Sequence, residues 1–224
     1  MGTLLHFLAD QLYSSHDFSG DDATFPELDQ PITVSEITEA VKTLKTCKAT
    51  GNDFLLNEYF IEGIDILSSH LCDLFNSILN FGYFPDQWSE GIIYPVHKKG
   101  DVSNVENYRG ITLVSCMSKL FTYILNKIIT VLCDKSNIIA DAQFGFRKGR
   151  STVDAVFLFM SVIQKFMFEN KRLYIVFVDD TINRNVLWLK LFKLGINCKC
   201  LCIIKDIYRK VKSCVRSCNS YSEY

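Results

Sequence analysis

The 224-residue chain has no run of 18 uncharged apolar residues, which speaks against a transmembrane helix. It has no basic flank ahead of an apolar leader, and Met1 to His6 runs on to Asp10 too soon for a signal peptide. His6 also stands where a myristoylation signal requires Ser or Thr. These absences lead us to expect a soluble intracellular protein, cytoplasmic or nuclear and not secreted, with no membrane partner. The cysteine count is nine, which is not even, and without a secretory signal reduced thiols are expected rather than a disulfide framework. Cys198, Cys200 and Cys202, with Cys214 and Cys218, fit no common zinc-finger spacing and have no His nearby. Buried or half-buried helix thiols are the expectation there. Internal repeats are absent.

What is present is enough to bury a core. Hydrophobic residues make up 48% and charged residues 22%, with 17 Phe and 10 Tyr, which excludes wholesale disorder. The length suits one large domain or two small ones. The formal net charge of −1 hides a division: residues 1–90 carry 3 Lys/Arg against 15 Asp/Glu, and residues 91–224 carry 21 against 10. Such a division points to a polyanion as partner of the second part, or to a dipolar surface with none.

Local signals give a coarse order of elements. Residues 14–30 read as an exposed acidic segment. Thr33 and Glu36 form a capping box before Ile37, Ala40, Val41 and Leu44 at helical spacing. A turn at Ala49–Asp53 precedes a second helix along Leu67, Leu71, Leu74, Phe75, Ile78 and Leu79, which Gly82 and Pro85 close. Gly91–His97 and Ile111–Val114 read as two short strands around a polar basic loop, with Pro95 demanding an edge or a bulge. Helical spacing returns from Ser118 to Leu132. Ser151 or Thr152 can cap a helix reaching about Asn170, with Val153, Val156, Phe157, Met160, Ile163 and Phe166 as its stripe. Leu173–Val178 reads as a buried-type strand, Asn185–Leu194 and Cys200–Val211 as helices, and the final residues show no packing pattern.

Two features carry chemistry. The strand at 173–178 delivers Asp179 and Asp180 at its end, and carboxylates so placed can hold Mg²⁺ beside substrate phosphates. A helix cap or a surface turn uses Asp equally well. Lys98, Lys99 and Arg109 flank the hairpin, while Arg147, Lys148 and Arg150 crowd a loop with Phe144 and Phe146. Arg and Lys bind phosphate, and the rings could stack on bases. Taken singly each is an ordinary surface cation or core ring, but clustered in one half they favour nucleic acid.

Together the residues form an ordered series: Pro31-Ile32-Thr33, Lys48-Ala49-Thr50-Gly51-Asn52-Asp53, Phe84-Pro85-Asp86-Gln87-Trp88, His97-Lys98-Lys99-Gly100-Asp101, Asn107-Tyr108-Arg109-Gly110-Ile111, Gln143-Phe144-Gly145-Phe146-Arg147 and Arg150-Ser151-Thr152-Val153-Asp154, then Phe177-Val178-Asp179, Asn185-Val186-Leu187-Trp188 and Gly195-Ile196. This series resembles the reverse transcriptase, an RNA-directed DNA polymerase, of LINE-like non-LTR retrotransposons, from about residue 30 onward. The resemblance implies an incomplete α+β domain: an acidic segment at 1–30, a mostly helical fingers-like part at 31–170, and the opening strand and helices of a palm at 171–224. It implies that Lys98, Lys99 and Arg109 contact a dNTP, and that Gln143, Phe144, Arg147, Lys148 and Arg150 lie along an RNA template. Asp179, with Asp180, would be the metal ligand for Mg²⁺, and a DNA primer 3′-hydroxyl would attack the dNTP.

One departure decides what to expect of the chemistry. The family separates its first palm Asp from a second by roughly five residues, whereas here Asp179 touches Asp180 and Thr181-Ile182-Asn183-Arg184 follows at once. The later aromatic-Ala-Asp-Asp motif is absent from the chain. The expectation is therefore a truncated reverse transcriptase fragment, inactive by itself. Its alternatives are a non-catalytic nucleic-acid-binding remnant and a mobile-element product without function. Residues 171–224 are expected to fold less well than the rest, because a palm strand without neighbours leaves an open edge.

Overall fold

Thr33 caps helix α1 (Val34–Lys42) through the reciprocal box its sequence calls for. The Glu36 amide donates to Thr33 Oγ1 at 3.3 Å, and the Thr33 amide donates to Glu36 Oε2 at 2.8 Å. Ile37, Ala40 and Val41 form its buried stripe. A short helix α2 (Asn57–Glu62), which the sequence reading left unassigned, precedes α3 (Ile64–Phe81). Asn76 of α3 clamps the entry to α1: its Oδ1 accepts from the Ile32 amide at 2.7 Å, and its Nδ2 donates to the Ile32 carbonyl at 2.8 Å. Helix α3 ends, as its sequence indicates, at a left-handed Gly82.

These details come from a computed structural model that describes Phe25, Leu28 and residues 30–177, 183–196, 199–217 and 220–223. Among the described residues the chain is α+β, with seven α-helices and one four-stranded mixed sheet. The described residues divide into two compact units, one within 25–129 and 195–223, the other within 130–194.

In the first unit the sheet runs in the order β2-β1-β3-β4, with β1 (Glu90–His97), β2 (Tyr108–Val114), β3 (Lys212–Ser217) and β4 (Ser220–Tyr221). Strand β1 is antiparallel to β2 over Gly91–His97 and parallel to β3 over Glu90–Ile93. The Lys98 amide donates to the Asn107 carbonyl at 2.8 Å, and alternation from that pair sets Pro95 opposite Gly110 in a non-hydrogen-bonded pair. The missing N–H of Pro95 thus faces the side where pairing with β3 has already stopped, so the proline costs the sheet nothing. The turn Ala49–Asp53 docks on the junction after β2. A Cβ on Gly51 would lie 2.5 Å from the Ser115 nitrogen and 2.6 Å from the Val114 carbonyl carbon, so only glycine fits. Ser115 Oγ donates to the Asp53 carboxylate beside it.

Helix α4 (Cys116–Lys135) supplies the core of this unit with its residues up to 129. Its length and composition would serve to cross a membrane, a property that a search for uncharged runs passes over because Lys119 and Lys127 interrupt it. Its apolar residues Leu120, Phe121, Ile124 and Leu125 are instead buried. Phe121 packs at ring-centroid distances of 5.3 Å from Phe75, 5.9 Å from Phe84 and 6.2 Å from Trp88. Helix α7 (Lys199–Lys210), the last in the chain, adds Leu201, Ile203 and Ile204 to the core.

Asp206 is buried in α7 and ties it to the turn before β1. It accepts from the Phe84 amide at 2.9 Å, Lys210 Nζ at 2.8 Å and Arg209 at 2.7 Å. Lys210 in turn donates to the Phe84 carbonyl at 2.7 Å, pairs with Asp86 at 3.0 Å, and lies 3.3 Å over the Tyr83 ring. Burial pushes the Asp206 carboxyl up, but the Lys210 ammonium, the Phe84 amide and the Arg209 guanidinium together hold it below the usual carboxylate range.

The second unit contains α5 (Thr152–Phe168) and α6 (Arg184–Lys193). Ser151, one of the two caps the sequence offers, closes a reciprocal box with Asp154 at the start of α5. The expected apolar stripe of α5 is not buried: no residue of the helix is, and Val153, Phe157, Met167 and Phe168 are 70–90% exposed. A helix apolar on nearly every side is one made for a larger core than these described residues supply.

The stretch expected to fold less well divides. Residues 171–177 form no strand, and Tyr174, Val176 and Phe177 are exposed, because β-propensity without a partner strand makes no sheet. Residues 212–217, which the sequence reading left unassigned, and 220–221, within the ending that showed no packing pattern, are strands, with β3 inserted beside β1. Cys214 is accordingly a buried strand thiol and not a helix one, while in α7 Cys200 is buried and Cys202 exposed. Cys198 and Cys218 lie outside the described residues.

Candidate nucleic-acid interface

The β1–β2 hairpin projects beyond the core, buried at Gly91 and Ile92 and exposed on both faces toward its tip. The loop joining its strands is fixed by its own hydrogen bonds. Asp101 accepts from the Ser103 amide at 2.9 Å and the Ser103 hydroxyl at 2.7 Å, which hold its carboxyl below the usual range. Asn107 Nδ2 donates to the Asp101 carbonyl at 2.9 Å, and the Tyr108 hydroxyl donates to the Val102 carbonyl at 2.9 Å. His97 packs edge-on against Tyr108, centroids 5.3 Å apart. Gly100 takes φ +87, and a Cβ there would meet Asn107 Nδ2 at 2.7 Å, so the glycine of the His97–Asp101 motif serves the turn itself.

On this frame Lys98, Lys99 and Arg109 are exposed, and none of them forms an ion pair among the described residues. Arg109 faces Val96 across the hairpin. Lys98, one pair further on, is its diagonal neighbour on the same face. Two cations held close without a counter-carboxylate form a site for an anion, and a rigid loop loses little conformational freedom when it binds one.

The other basic loop, in the second unit, is arranged differently. Arg147 lies 3.6 Å and Arg150 3.9 Å from Asp141, a highly exposed carboxylate, and Arg147 donates to the Ala140 carbonyl at 3.0 Å. Arg150 also stands over the Phe144 ring at 5.6 Å. Gln143 reaches the Gly145 carbonyl at 3.5 Å, Phe146 holds a left-handed φ of +59, and Lys148 forms no ion pair among the described residues. The structure therefore gathers Phe144, Arg147 and Arg150 into one loop, but ties both arginines to a carboxylate that phosphate would have to displace.

Asp179 and Asp180 lie outside the described residues. Among the described residues no three His, Cys, Asp or Glu side chains group at metal-ligand spacing. Sequence reasoning missed Arg216, which β3 brings to the sheet carrying Arg109. Its only local signal was an alternation of Lys212, Cys214 and Arg216 too short to stand out.

No family model matches the chain. It is 33% identical over 152 residues to a probable RNA-directed DNA polymerase from transposon BS of Drosophila melanogaster, a match covering 67% of this chain and 17% of that protein. It is 32% identical over 132 residues to a probable RNA-directed DNA polymerase from transposon X-element of the same fly, covering 57% and 14%. It is 36% identical over 124 residues to the RNA-directed DNA polymerase from mobile element jockey of Drosophila funebris, covering 54% and 13%. The matched stretches thus span less than a fifth of each of these relatives.

Proposed function

We propose that this chain, a distant homologue of the RNA-directed DNA polymerases of non-LTR retrotransposons, is a nucleotide- and template-handling fragment of such a polymerase and does not itself synthesise DNA. The observation that carries the binding half is the set Lys98, Lys99 and Arg109, without ion pairs among the described residues, on a hairpin whose loop is fixed by its own hydrogen bonds. Those cations would hold the phosphates of a dNTP or of an RNA–DNA duplex by charge-assisted contacts. Arg147, Lys148 and Arg150 would follow the template backbone once Asp141 gives way. In this reading residues 31–170 are the fingers-like part and 171–224 the start of the palm.

The inactive half follows from the carboxylates. In the intact family Mg²⁺ stabilises the attacking and leaving oxygens of the transfer. Here the two aspartates offered for it are adjacent in sequence, without the residues that separate them in the family. The segment leading to them, 171–177, forms no strand among the described residues. The reading given to this chain is therefore binding and not a metal-dependent step. A primer-extension assay on an RNA template with all four dNTPs and Mg²⁺ is expected to give no elongation above the protein-free blank. A DNA primer annealed to that template should still be retained by the chain on a filter. Elongation by the purified chain would overturn the inactive half, and failure to retain primer–template would overturn the binding half.

A further inference from the structure

We propose that the sheet face carrying Tyr94, Arg216 and Tyr221 is a stacking platform for the bases of a single-stranded nucleic acid, a site that rests on the nucleic-acid reading above and extends it to the bases. The registers place these residues in one row across the strands. Tyr94 pairs with Ile111 of β2, and Arg216 of β3 pairs with Tyr221 of β4. The parallel register Ile92↔Cys214 and Ile93↔Val215 brings Tyr94 beside Arg216 at the next step. Directly paired residues point to the same face, so the row reads Ile111, Tyr94, Arg216, Tyr221.

Side-chain geometry agrees with the register. The Arg216 guanidinium lies 5.9 Å from the centroid of Tyr94 and 5.9 Å from that of Tyr221, filling the space between the rings. The rings stand two strands apart, about 10 Å, too far to stack on each other. Tyr94 and Tyr221 are 47% and 55% exposed, leaving ring surface open to a ligand. Neither tyrosine hydroxyl is tied to a partner and Arg216 pairs with no carboxylate among the described residues. One pair along the hairpin, about 7 Å from the row, Val96 and Arg109 occupy the same face, with Lys98 another step beyond.

This arrangement selects its occupant by chemistry. Rings separated by a planar cation offer π faces to bases of any sequence, and the cations farther along the same face suit the phosphates joining them. A duplex buries its base faces and could use only the cations. An acidic protein partner would use the cations and have no need of the rings.

Fluorescence anisotropy with the full chain tests this, using a labelled oligo(U) of about twelve nucleotides, within the usual range of single-strand sites, and an abasic sugar-phosphate strand of equal length. The chain should prefer the base-bearing strand. Tyr94→Leu and Tyr221→Leu should each lower affinity for oligo(U) about tenfold while leaving the abasic strand unaffected, and Tyr94→Phe and Tyr221→Phe should retain it. If the unaltered chain binds both strands and the leucine variants bind oligo(U) as well as it does, the platform is wrong and the phosphate reading stands. If the unaltered chain binds neither strand, the platform and the reading beneath it both fail.

Discussion

Truncating Phe121 to alanine is expected to cost about 3–5 kcal/mol of unfolding free energy, the usual loss for a fully enclosed ring whose cavity cannot collapse. Phe121 is 0% exposed, and its neighbours Phe75, Phe84 and Trp88 come from α3 and the turn before β1. Those neighbours are themselves large rings held on separate elements, so none can move in to fill the space. Phe121→Leu, which keeps most of the volume, should lose less than half as much. Urea unfolding followed by far-UV circular dichroism reads the difference. A loss of less than about 1 kcal/mol for the alanine variant, typical of an exposed site, would mean that the cluster is not the core of its unit.

The second large effect is expected at Asp206. Asp206→Ala leaves the Phe84 amide without its acceptor and Lys210, itself mostly covered, with only the exposed Asp86 as a charged partner. Removing one member of a buried pair typically costs about 3–5 kcal/mol, and the surviving Asp86 contact sets the expectation near about 3. The pH dependence has a definite sign. Because the folded-state pKa of Asp206 is depressed, its contribution is present above the unfolded carboxylate value and is lost as pH falls through the folded one. For Lys210, burial lowers the pKa but Asp206, Asp86 and Tyr83 together raise it, so its contribution is present below the unfolded lysine value and fades as pH rises through the folded one. The unaltered chain should therefore lose stability in acid more steeply than Asp206→Ala does. Parallel acid-unfolding curves for the two proteins would contradict this account of the pair.

Much of the fold was legible because its signals are local. Thr33 with Glu36, Ser151 as a helix cap, and Gly82 each act within one turn of chain, and each does in the structure what its residue type favours. The hairpin was legible for the same reason, since β1 and β2 are neighbours in sequence and Pro95 sits where its missing donor is harmless. What failed depends on distant partners. Strand β3 is polar by composition and becomes a strand because Ile92 and Cys214, 122 residues apart, are placed side by side. Residues 171–177 show the converse, a strong strand pattern that finds no partner among the described residues. The helix at 200–211 was legible, but the role of Asp206 within it was not, because its partner is the distant turn at Phe84.

The candidate site was legible as chemistry and not as geometry. Lys98, Lys99 and Arg109 were recognisable by charge and by the motifs around them, but only the structure shows that the nearby Asp101 is engaged with Ser103. Arg147 and Arg150 looked equivalent to them and differ because Asp141 lies at the start of their own loop. Arg216 could not be found from sequence, because its place beside Tyr94 depends on the register between β1 and β3.

The account turns on polyanion binding by the hairpin, and a salt titration tests that most directly. Binding of an RNA–DNA hybrid to the chain, measured from low to physiological salt, is expected to weaken steeply, because each neutralised phosphate adds roughly 0.7–0.9 to the slope of log affinity against log salt. Replacing Lys98, Lys99 and Arg109 together by alanine should flatten that slope by about 2 to 3, whereas replacing Lys148 alone should flatten it by at most about 1. A slope that the triple variant leaves unchanged, or the absence of binding at any salt, would contradict the account.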